Sequence, residues 1–399
     1  MEPQQPDFIE NATLRANPGY ELVLFDRLPF EQQQLLNGIQ NDPDFYGILR
    51  PRQLSRLGAK SVDQATALLF LTLQQPSPLP AYVRSSYGTE THQAVAALVL
   101  DGILEIEREG QFVCGADAYG SIYGQQVSTA ALGTVARLSL EAIQYAQALE
   151  IEDSMRLSAR LYFYNRLPVS PRWRRLLPST EAVFAHLGIA PGGPARTMLD
   201  RYWTPAKTTG TNDGWSMWRL RSRSGRSKKA RLAYKLYISP AGLRAGEVFP
   251  AALATLSEMH TPYFKIGNDV FGLFRPDKFV AYFEDHETLM AVADQLAHQL
   301  AGCPAQGVPF SAGITEDGLL SWGMDPPQPK NAILWQERES WRLWVTNRLA
   351  VALLAAKTAE TAAMAPWQFA LERLRLEGVD TETWTPVDTI WQESRASKG

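Results

Sequence analysis

The chain has 399 residues, of which 45% are hydrophobic and 20% charged, enough to bury a sizeable core in roughly two domains. Its 39 lysine and arginine residues against 42 aspartate and glutamate residues give a formal net charge of -3, which argues against a nucleic-acid binder with a basic surface throughout. No apolar run reaches the roughly 18 residues of a membrane-spanning helix, and the first segment, MEPQQPDFIEN, lacks the basic and apolar regions of a secretory signal. A cytoplasmic protein with no membrane segment is therefore expected.

The first third of the chain has helical periodicity. Apolar residues recur every three or four positions in residues 29–39, 62–73 and 89–100, which predicts helices. The next segment, DGILEIEREGQFVCG at residues 101–115, predicts a β-hairpin around a Glu109-Gly110 turn, and a helix followed by a hairpin is the outline of a winged helix. Residues 89–100 carry no arginine or lysine for a DNA backbone, so the sequence favours a peptide-binding or structural wing.

Residues 128–164 predict a second helical stretch, which Pro168 and Pro171 end. The segment RLYFYNRLPVSPRWRR at residues 160–175 mixes aromatic side chains with five arginines. Two interpretations stay open, RNA stacking or an aromatic core edge with extended arginine stems, and the second is favoured. Turn formers at residues 204–214 place a domain boundary near Thr204, which gives an N-terminal domain at 1–204 and a C-terminal domain at 205–399.

The second half of the chain changes its periodicity. Short β-branched and aromatic runs at 232–238, 263–266, 270–274 and 279–283 predict strands, and residues 284–300 and 336–363 predict helices. The fold class is therefore α+β. We expect a mostly helical N-terminal domain with a wing-like hairpin, and a C-terminal domain in which helices flank a small antiparallel or mixed sheet.

Several kinds of site lack their sequence signature. The only cysteines, Cys114 and Cys303, occur without a CxxC pair or a histidine at ligand spacing. The Gly-x-Ser-x-Gly pattern of a nucleophile elbow is also absent. A disulfide framework, a structural zinc and a serine-hydrolase site are therefore not expected.

Residues 214–246 form the strongly basic segment of the chain, with many arginines and lysines and no acidic residue. For residues 223–229 a solvated loop and a functional role are equally good explanations. In the strand LAYKLYI, however, side-chain alternation places Lys235 on the same face as Ala233 and Tyr237. A lysine and a tyrosine are therefore expected to project side by side.

Three further residues extend this arrangement. Lys265 interrupts the otherwise apolar strand YFKIG, and Arg275 and Tyr282 follow around the next predicted strands. No carboxylate lies inside these strands, so the cluster is expected to attract an anion and to bind phosphate. Because neighbouring cations and burial both disfavour a charged ammonium group, they lower the pKa of a lysine and convert it into a base.

Each of these residues also has a structural explanation. The alternative explanation of Lys235 and Lys265 is that they are charged residues that protect edge strands from aggregation. Arg275 is explained by a turn or by an ion pair with Asp277. Tyr282 is explained by burial in a core, where most aromatic strand residues lie.

The cluster resembles the site of the phosphothreonine lyase superfamily. In that family a Lys-x-His strand, a second lysine about thirty residues on, and then an arginine and a tyrosine form the site that eliminates phosphate from phosphothreonine. The matching residues here are Lys235 with Tyr237, Lys265, Arg275 and Tyr282, and Tyr237 stands where the family has its acid histidine. Over most of the chain, the segments LDGILEIEREGQFVCG, LSARLYFYNRLPVSPRW, KLYI, FRPDKFVAYF and ESWR more specifically resemble the Hop-A-type effector family.

The resemblance implies a β-elimination at phosphoserine or phosphothreonine that leaves dehydroalanine or dehydrobutyrine. Lys265 would remove the α-proton, and Lys235 or Tyr237 would protonate the departing phosphate. The implied phosphate-binding residues are Arg275 and Tyr282 with the further candidates Arg219, Arg221, Arg338 and Arg342, to which Arg348 adds a C-terminal arginine on a different helical face. The resemblance implies no metal and no other cofactor, because cationic side chains supply the charge stabilisation.

Members of this family occur as type III effectors of plant pathogens and as lyase components of class V lanthipeptide and thioamitide biosynthesis. The implied partners are a phosphorylated precursor peptide and a separate kinase, without nucleic acid or membrane, and the N-terminal domain would help to recognise the substrate or the kinase. One alternative is an effector in a host cell that binds host phosphoproteins without catalysis. Another is a nucleic-acid binder that uses residues 219–231, which the balanced net charge disfavours.

Overall fold

The computed structural model describes residues 9, 11–36, 45–52, 58–83, 91–123, 132–206, 214–221, 233–326, 339–357 and 364–387. The described residues divide into two compact units: the first takes residues up to 123 together with 348–377, and the second takes 132–326, 339–347 and 378–387. The boundary predicted near Thr204 falls inside the second unit, in the strand Trp203–Pro205. No helix in these ranges is long and apolar enough to cross a membrane.

The elements of both units confirm the predicted α+β class. In chain order they are β1 (Leu14–Ala16), β2 (Tyr20–Val23), α1 (Phe30–Leu35), β3 (Phe45–Pro51), β4 (Lys60–Asp63), α2 (Gln64–Thr72), α3 (Thr91–Leu100), β5 (Leu104–Arg108), β6 (Gln111–Val113), α4 (Ala116–Tyr123), α5 (Thr134–Gln147), α6 (Ser154–Tyr162), α7 (Pro171–Leu176), α8 (Thr180–His186), α9 (Pro194–Tyr202), β7 (Trp203–Pro205), β8 (Trp215–Leu220), β9 (Tyr234–Ile238), α10 (Ala245–Glu258), β10 (Tyr263–Gly267), α11 (Val270–Leu273), β11 (Phe279–Phe283), α12 (His286–Gln299), β12 (Ala312–Gly313), β13 (Leu320–Met324), α13 (Trp341–Lys357), α14 (Pro366–Leu376), β14 (Val379–Asp380) and β15 (Thr385–Pro386). Within the described ranges, short 3-10 helices lie at Phe25–Arg27 and Gly242–Arg244.

The first unit contains the predicted wing. Strands β5 and β6 form a hairpin whose turn residues Glu109 and Gly110 have φ of 51° and 80°, as the hairpin turn that matches strand twist requires. Strand β1 pairs with β5 to complete a three-stranded sheet. The helix before the hairpin is α3.

The expectation of a mostly helical beginning is wrong in one respect. Strands β2, β3 and β4 form a second antiparallel sheet in the first unit, which helical periodicity does not predict. The helix predicted at 62–73 starts at Gln64 instead, because residues up to Asp63 pair with β3 and the Asp63 side chain caps the helix by accepting from Thr66 N at 2.7 Å. Residues 37–39 and 89–90 of the other two predicted helices lie outside the described ranges.

The second unit is built on one antiparallel sheet of seven strands, in the order β12-β13-β9-β11-β10-β8-β7. One face of this sheet packs against α10 and α12 through a continuous apolar core, in which Phe249, Leu253, Leu289 and Leu296 are fully buried. The predicted strands at 232–238, 263–266 and 279–283 are confirmed as β9, β10 and β11, with residue 232 outside the described ranges. The predicted helices at 284–300 and 336–363 correspond to α12 and α13, of which residues 336–338 and 358–363 are not described.

Two predicted elements of the second unit are wrong in detail. Residues 270–274 form no strand but the short helix α11, because the Asp269 side chain accepts from Gly272 N and caps a helical turn. The helical stretch at 128–164 is two helices, α5 and α6. The second one starts anew where Asp153 accepts from Arg156 N at 2.7 Å, after an irregular segment at 148–153.

Candidate functional site

The seven-stranded sheet has a second face, which carries charge. Register pairs Lys235 of β9 with Tyr282 of β11, and Tyr282 with Tyr263 of β10. Paired residues share a face, and so do alternate residues along one strand, so Lys235, Tyr237, Lys265 and Tyr282 all lie on this charged face. Strands β9 and β10 each have neighbours on both sides, so the explanation of their lysines as edge-strand protection is wrong.

Lys265 lies among aromatic rings on this face. Its Nζ is 4.2 Å from the ring centre of Trp215 and 6.0 Å from that of Tyr282, and it pairs with no described carboxylate. Burial, followed by the positive charge of Lys235, lowers the pKa of the partly exposed Lys265 ammonium to about 8. At pH 7 about one tenth of this residue is therefore the neutral amine that a general base requires, and the fraction increases with pH.

Asp325 fixes the other lysine. Lys235 Nζ donates to Asp325 Oδ1 at 2.6 Å, and the same oxygen accepts from Trp341 N at 2.9 Å at the start of α13. Gly323, which is opposite Lys235 on β13, makes room for Trp341, because a Cβ at position 323 would lie 2.5 Å from the indole ring. Lys235 is 8% exposed, so Asp325 holds a nearly buried ammonium at the edge of the cluster.

Asp277 is a buried carboxylate that two arginines share. Arg275 binds it through two nitrogens, with Nε 2.8 Å from Oδ1 and Nη2 2.9 Å from Oδ2, and Arg342 Nη1 lies 2.9 Å from Oδ2. Burial alone would raise the pKa of Asp277, but the two guanidinium groups hold it well below its usual range. Tyr162 joins this group, since its hydroxyl donates to Asp277 Oδ2 and accepts from Arg275 Nη2, both at 3.3 Å.

Arg275 keeps one edge available for a ligand. Its side chain is partly exposed, and within the described ranges no protein group bonds its Nη1. Its Cζ lies 4.9 Å from the ring centre of Trp215, the same indole that Lys265 contacts. The guanidinium of Arg275 and the amine of Lys265 therefore both contact the same tryptophan ring.

The cluster carries an excess of positive charge. Its four cationic side chains, Lys235, Lys265, Arg275 and Arg342, face two carboxylates, Asp277 and Asp325, which leaves two positive charges when both lysines are protonated. The ion pair of Arg275 with Asp277 is confirmed, and loop carboxylates neutralise part of the charge that the strands alone leave unbalanced. The remainder favours a small anion such as phosphate.

Two tyrosines complete the charged face. Burial raises the pKa of both Tyr237 and Tyr282, so both hydroxyl groups stay protonated at neutral pH. Tyr237 is 3% exposed and packs against Val280 and Val308. Tyr282 is partly exposed rather than lying in the core, and its ring centre is 5.6 Å from Lys235 Nζ and 6.0 Å from Lys265 Nζ.

The predicted phosphate-binding arginines of β8 lie further out. Arg219 is exposed on the charged face, opposite Tyr263 in register. Arg221 follows the end of β8, and its Nε donates to the carbonyl of Trp203 on the edge strand β7 at 2.8 Å. Arg219 therefore lies at the rim of the charged face, whereas Arg221 is engaged at the edge of the sheet.

The C-terminal arginines differ from one another in their surroundings. Arg342 is 1% exposed, and besides Asp277 it donates to Pro309 O at 3.0 Å and to Tyr162 O at 2.7 Å, so it supplies charge but no contact with a ligand. Arg348 belongs to the first unit, where it pairs with Glu377. The prediction for Arg338 falls outside the described residues.

A third lysine beside these strands has a different environment. Lys278, just before β11, is 1% exposed and donates to Pro240 O at 2.8 Å and to Gln306 Oε1 at 2.6 Å. Burial lowers its pKa to about 7. Because neutral oxygens already bind its amine and no solvent reaches it, Lys278 holds the fold together and is not open to a substrate.

Sequence reasoning missed three parts of the site. Trp215, which contacts both Lys265 and Arg275, stands at the start of a strand that periodicity did not single out. Tyr162 was predicted only as part of an aromatic segment, and Asp277 only as a partner of Arg275. The signal for Asp277 was its position in RPDK, an acid between two basic residues directly before an apolar strand.

No group of three or more histidine, cysteine, aspartate or glutamate side chains in the described ranges is arranged to hold a metal ion. Neither a family model nor a curated protein matches the chain. It is similar in structure to an effector protein from Pseudomonas syringae pv. tomato strain DC3000, with 14% identity and a TM-score of 0.40 over 64% of this chain and 98% of that one. It is also similar to an effector protein from Pseudomonas syringae pv. syringae strain 61, with 10% identity and a TM-score of 0.37 over 63% of this chain and 98% of that one.

Proposed function

We propose that the protein is a carbon-oxygen lyase that eliminates phosphate from phosphoserine or phosphothreonine in a peptide. The observation that carries this proposal is the position of Lys265, an amine with a pKa of about 8 that shares one tryptophan ring with the open edge of Arg275. A base and an anion-binding guanidinium against one ring are what proton removal next to a phosphoester needs. The family resemblance of Lys235, Tyr237, Lys265, Arg275 and Tyr282 supports the same reaction.

The reaction begins at the neutral amine of Lys265. Its Nζ takes the α-proton of the phosphorylated residue, and the electron pair of that C–H bond forms the double bond between Cα and Cβ. The bond between Cβ and the ester oxygen breaks, and its electrons leave with the phosphate. The peptide keeps dehydroalanine from phosphoserine or dehydrobutyrine from phosphothreonine, and Lys265 returns its proton to solvent.

Arg275 and its neighbours stabilise the leaving phosphate. Nη1 of Arg275 is the contact available to a phosphate oxygen, because Asp277 holds Nε and Nη2 and so fixes the guanidinium plane. Arg342 is a positioning residue that acts through Asp277, since it is itself buried. Tyr282, between the two lysines, and Arg219, at the rim, are the further phosphate-binding candidates.

Lys235 and Tyr237 are the two candidates for the acid that protonates the phosphate. Asp325 holds Lys235 as a donor at the edge of the cluster. Tyr237 is more deeply buried and keeps its proton because burial raises its pKa. Replacement of each residue by one of similar size, Lys235→Met or Tyr237→Phe, distinguishes the two candidates. The variant that lacks the true acid should lose more of the elimination rate, and its loss should be largest for substrates whose phosphate is a poor leaving group.

The biological setting that we propose is the modification of a precursor peptide of the lanthipeptide or thioamitide type. A lyase of this kind consumes a phosphoester, so a separate kinase must supply it. Within that setting residues of the predicted N-terminal region, 1–204, which contribute to both units, recognise the peptide or the kinase. This reaction needs no cofactor, because side chains supply the base, the acid and the charge.

Mass spectrometry of phosphoserine and phosphothreonine peptides incubated with the protein and EDTA tests this proposal. Loss of phosphoric acid, followed by addition of a thiol to the product, identifies a dehydro residue made without a metal. Recovery of the free hydroxyl would instead identify hydrolysis and overturn the proposal. The Lys265→Ala variant serves as the control, since it is expected to bind the phosphopeptide without turnover.

A second function, binding without catalysis, has one observation in its favour. Arg275 and Lys235 already form ion pairs with Asp277 and Asp325. In addition, a tyrosine stands at position 237, where the phosphothreonine lyase superfamily has a histidine. Such a protein would be an effector that binds host phosphoproteins. Affinity for a phosphopeptide with no dehydro product, also after addition of a precursor peptide and its kinase, would favour this function over the lyase.

A further inference from the structure

A row of alternating arginine and phenylalanine side chains leads away from the candidate site. It consists of Arg275, Phe163, Arg166, Phe271 and Arg174, and we call it the arginine–phenylalanine row. Arg275 Cζ lies 5.4 Å from the ring centre of Phe163, and Arg166 Cζ lies 5.6 Å from Phe163 and 5.5 Å from Phe271. Arg174 Cζ lies 5.6 Å from Phe271 and completes the row. Each contact is within the range of a cation–π interaction, so the row is continuous.

The row is exposed to solvent although it contains two large apolar rings. Phe163 is 42% exposed and Phe271 is 44% exposed. An exposed apolar patch beside a proposed active site is typical of an interaction surface. Its continuity with Arg275 means that a peptide held at the phosphate site passes close to it.

The two outer arginines of the row, Arg166 and Arg174, lack acidic partners. In the part of the chain that the structure describes, neither the partly exposed Arg166 nor the exposed Arg174 forms an ion pair with a carboxylate, whereas Arg275 and Arg373 do. Burial, and next the positive charge of Arg275, lower the pKa of Arg166. An added negative charge at this place relieves the repulsion between the guanidinium groups.

The backbone holds the middle of the row in place. Asn165 adopts a positive φ of 63°, and its Nδ2 donates to Gln306 O at 2.7 Å and Gly307 O at 3.0 Å. Leu167 N donates to Phe274 O at 3.1 Å, and Arg166 Nη2 donates to Phe271 O at 3.2 Å. The Arg166 side chain, fixed by its own hydrogen bond and by the anchored backbone on both sides, therefore loses little conformational entropy when it binds a ligand.

We propose that the arginine–phenylalanine row is a second anion-binding surface that recognises an acidic or phosphorylated side chain of the substrate peptide, near the phosphoresidue. The inference rests on the proposed lyase function for the identity of the first anion. Carboxylate and phosphate groups share the chemistry that an arginine edge binds, and the apolar rings cover the neighbouring part of the peptide. The row thus selects peptides with negative charge beside the residue that is eliminated.

A peptide fits this row better than RNA does. RNA stacking requires uncovered aromatic faces, but guanidinium groups already lie over Phe163 and Phe271, and Trp173 packs against Phe274 and His186. Arginines and neighbouring rings therefore already contact Phe163, Phe271 and Trp173, which disfavours the RNA interpretation of residues 160–175. The charge of the row remains, and that is what an acidic peptide uses.

Fluorescence anisotropy with labelled peptides of one length tests the proposal. Four peptides are compared: phosphoserine flanked by glutamates, phosphoserine flanked by glutamines, phosphoserine flanked by a second phosphoserine, and serine flanked by glutamates. All proteins carry Lys265→Ala so that no peptide is consumed. The test variant is Arg166→Gln with Arg174→Gln, and the control is Arg201→Gln, because Arg201 is also exposed and lies over an aromatic ring, that of Tyr202, at 5.0 Å.

We expect the glutamate-flanked phosphopeptide to bind on the order of tenfold more tightly than the glutamine-flanked one at low salt, since each exposed charge pair contributes several-fold. The doubly phosphorylated peptide binds more tightly still, because phosphate carries up to two negative charges. This advantage disappears in the double variant and persists in Arg201→Gln. A higher affinity for the doubly phosphorylated peptide alone would assign the row to a phosphate, and an equal gain with glutamates would assign it to any acidic side chain.

Two results overturn the proposal: equal affinity for all three phosphopeptides, or an advantage of acidic or phosphorylated flanks that survives in the double variant. A single-stranded RNA that binds more tightly than every peptide and loses affinity in the double variant overturns it as well. Failure of the proposed function looks different. In that case the glutamate-flanked peptides bind alike with and without phosphate, while the double variant still weakens both.

Discussion

The two faces of the seven-stranded sheet are made by the same strands, yet they bury opposite kinds of side chain. On one face Phe264, Ile266, Phe279 and Phe283 are each at most 2% exposed and pack against α10 and α12. On the other face the same strands present lysines and tyrosines, which two arginines and two carboxylates from loops and a helix surround. Alternation along a strand therefore places a core residue and a charged residue next to each other in the chain.

The comparison shows how a fold keeps a lysine partly out of water. Desolvation of the Lys265 ammonium costs free energy, which appears as its lowered pKa. The apolar face offsets this cost, because it buries large side chains from the same three central strands and so fixes their positions. Stability is therefore expected to depend on one face, and chemistry on the other.

The largest effect is expected when the charged face loses its base. Lys265→Ala should lower the rate of phosphate elimination on the order of 10³-fold, because a positioned base contributes roughly 10²- to 10⁴-fold. The measurement is the rate at which mass spectrometry detects the dehydro product. Binding of the phosphopeptide and the urea midpoint should stay close to those of the parent protein, and Lys60→Ala on β4 is the matched control. Turnover at the parental rate would show that the base is elsewhere.

The neighbouring residue on the apolar face should behave in the opposite way. Phe264→Ala should lower the free energy of unfolding by about 3–5 kcal/mol, because it removes a ring from a filled core. The free energy is measured by urea unfolding, and the elimination rate is then expressed per folded molecule. That rate should stay within a few-fold of the parent. A stable variant with a large loss of rate would mean that the two faces are not separate in function.

Asp277 belongs to the charged face but should affect stability. Asp277→Asn leaves Arg275 and Arg342 without their shared carboxylate, and loss of one partner of a buried ion pair typically costs about 3 kcal/mol. The comparison is Asp294→Asn on α12, an exposed aspartate whose replacement should cost less than about 0.5 kcal/mol. Urea unfolding of both variants measures the two losses in the free energy of unfolding. Equal stabilities for the two variants would show that Asp277 contributes little to the fold.

The sequence was sufficient for the strands of the charged face and not for its carboxylates. Alternation in LAYKLYI predicted that Lys235 and Tyr237 share a face, because that depends only on the local backbone. Asp325 reaches Lys235 across 90 positions of the chain, so its role depends on how α13 packs on Gly323, which no local pattern encodes. The order of strands is also a long-range property. It placed β9 and β10 in the interior and removed the explanation of their lysines as edge protection.

Local side-chain bonds explain the elements that periodicity predicted wrongly. Residues 270–274 have the composition of a strand, but Asp269 satisfies a backbone amide and starts the helix α11 instead. Asp153 does the same inside the apparently continuous helix at 128–164. In both places a capping aspartate outweighs the apolar pattern, and an aspartate three residues before a freed amide is the signal that would have corrected the prediction.

The smallest predicted effect separates the base from the fold by pH. With a pKa of about 8 for Lys265, the neutral fraction of its amine rises from about one tenth at pH 7 to about nine tenths at pH 9, so the elimination rate should rise roughly tenfold over this range. Unfolding cannot produce such a rise. The folded-state pKa lies below that of a lysine in the unfolded chain, so the unfolded chain binds more protons above pH 8, and the contribution of this group to stability increases with pH in that window.

The rate of acetylation of Lys265, followed by mass spectrometry, should show a midpoint near pH 8 in the folded protein and a higher midpoint in urea. Lys235→Met removes the positive charge that lowers the pKa of Lys265 most and should move the folded midpoint above 8. A midpoint that is the same in all three samples would mean that neither burial nor the neighbouring lysine prepares Lys265 as a base.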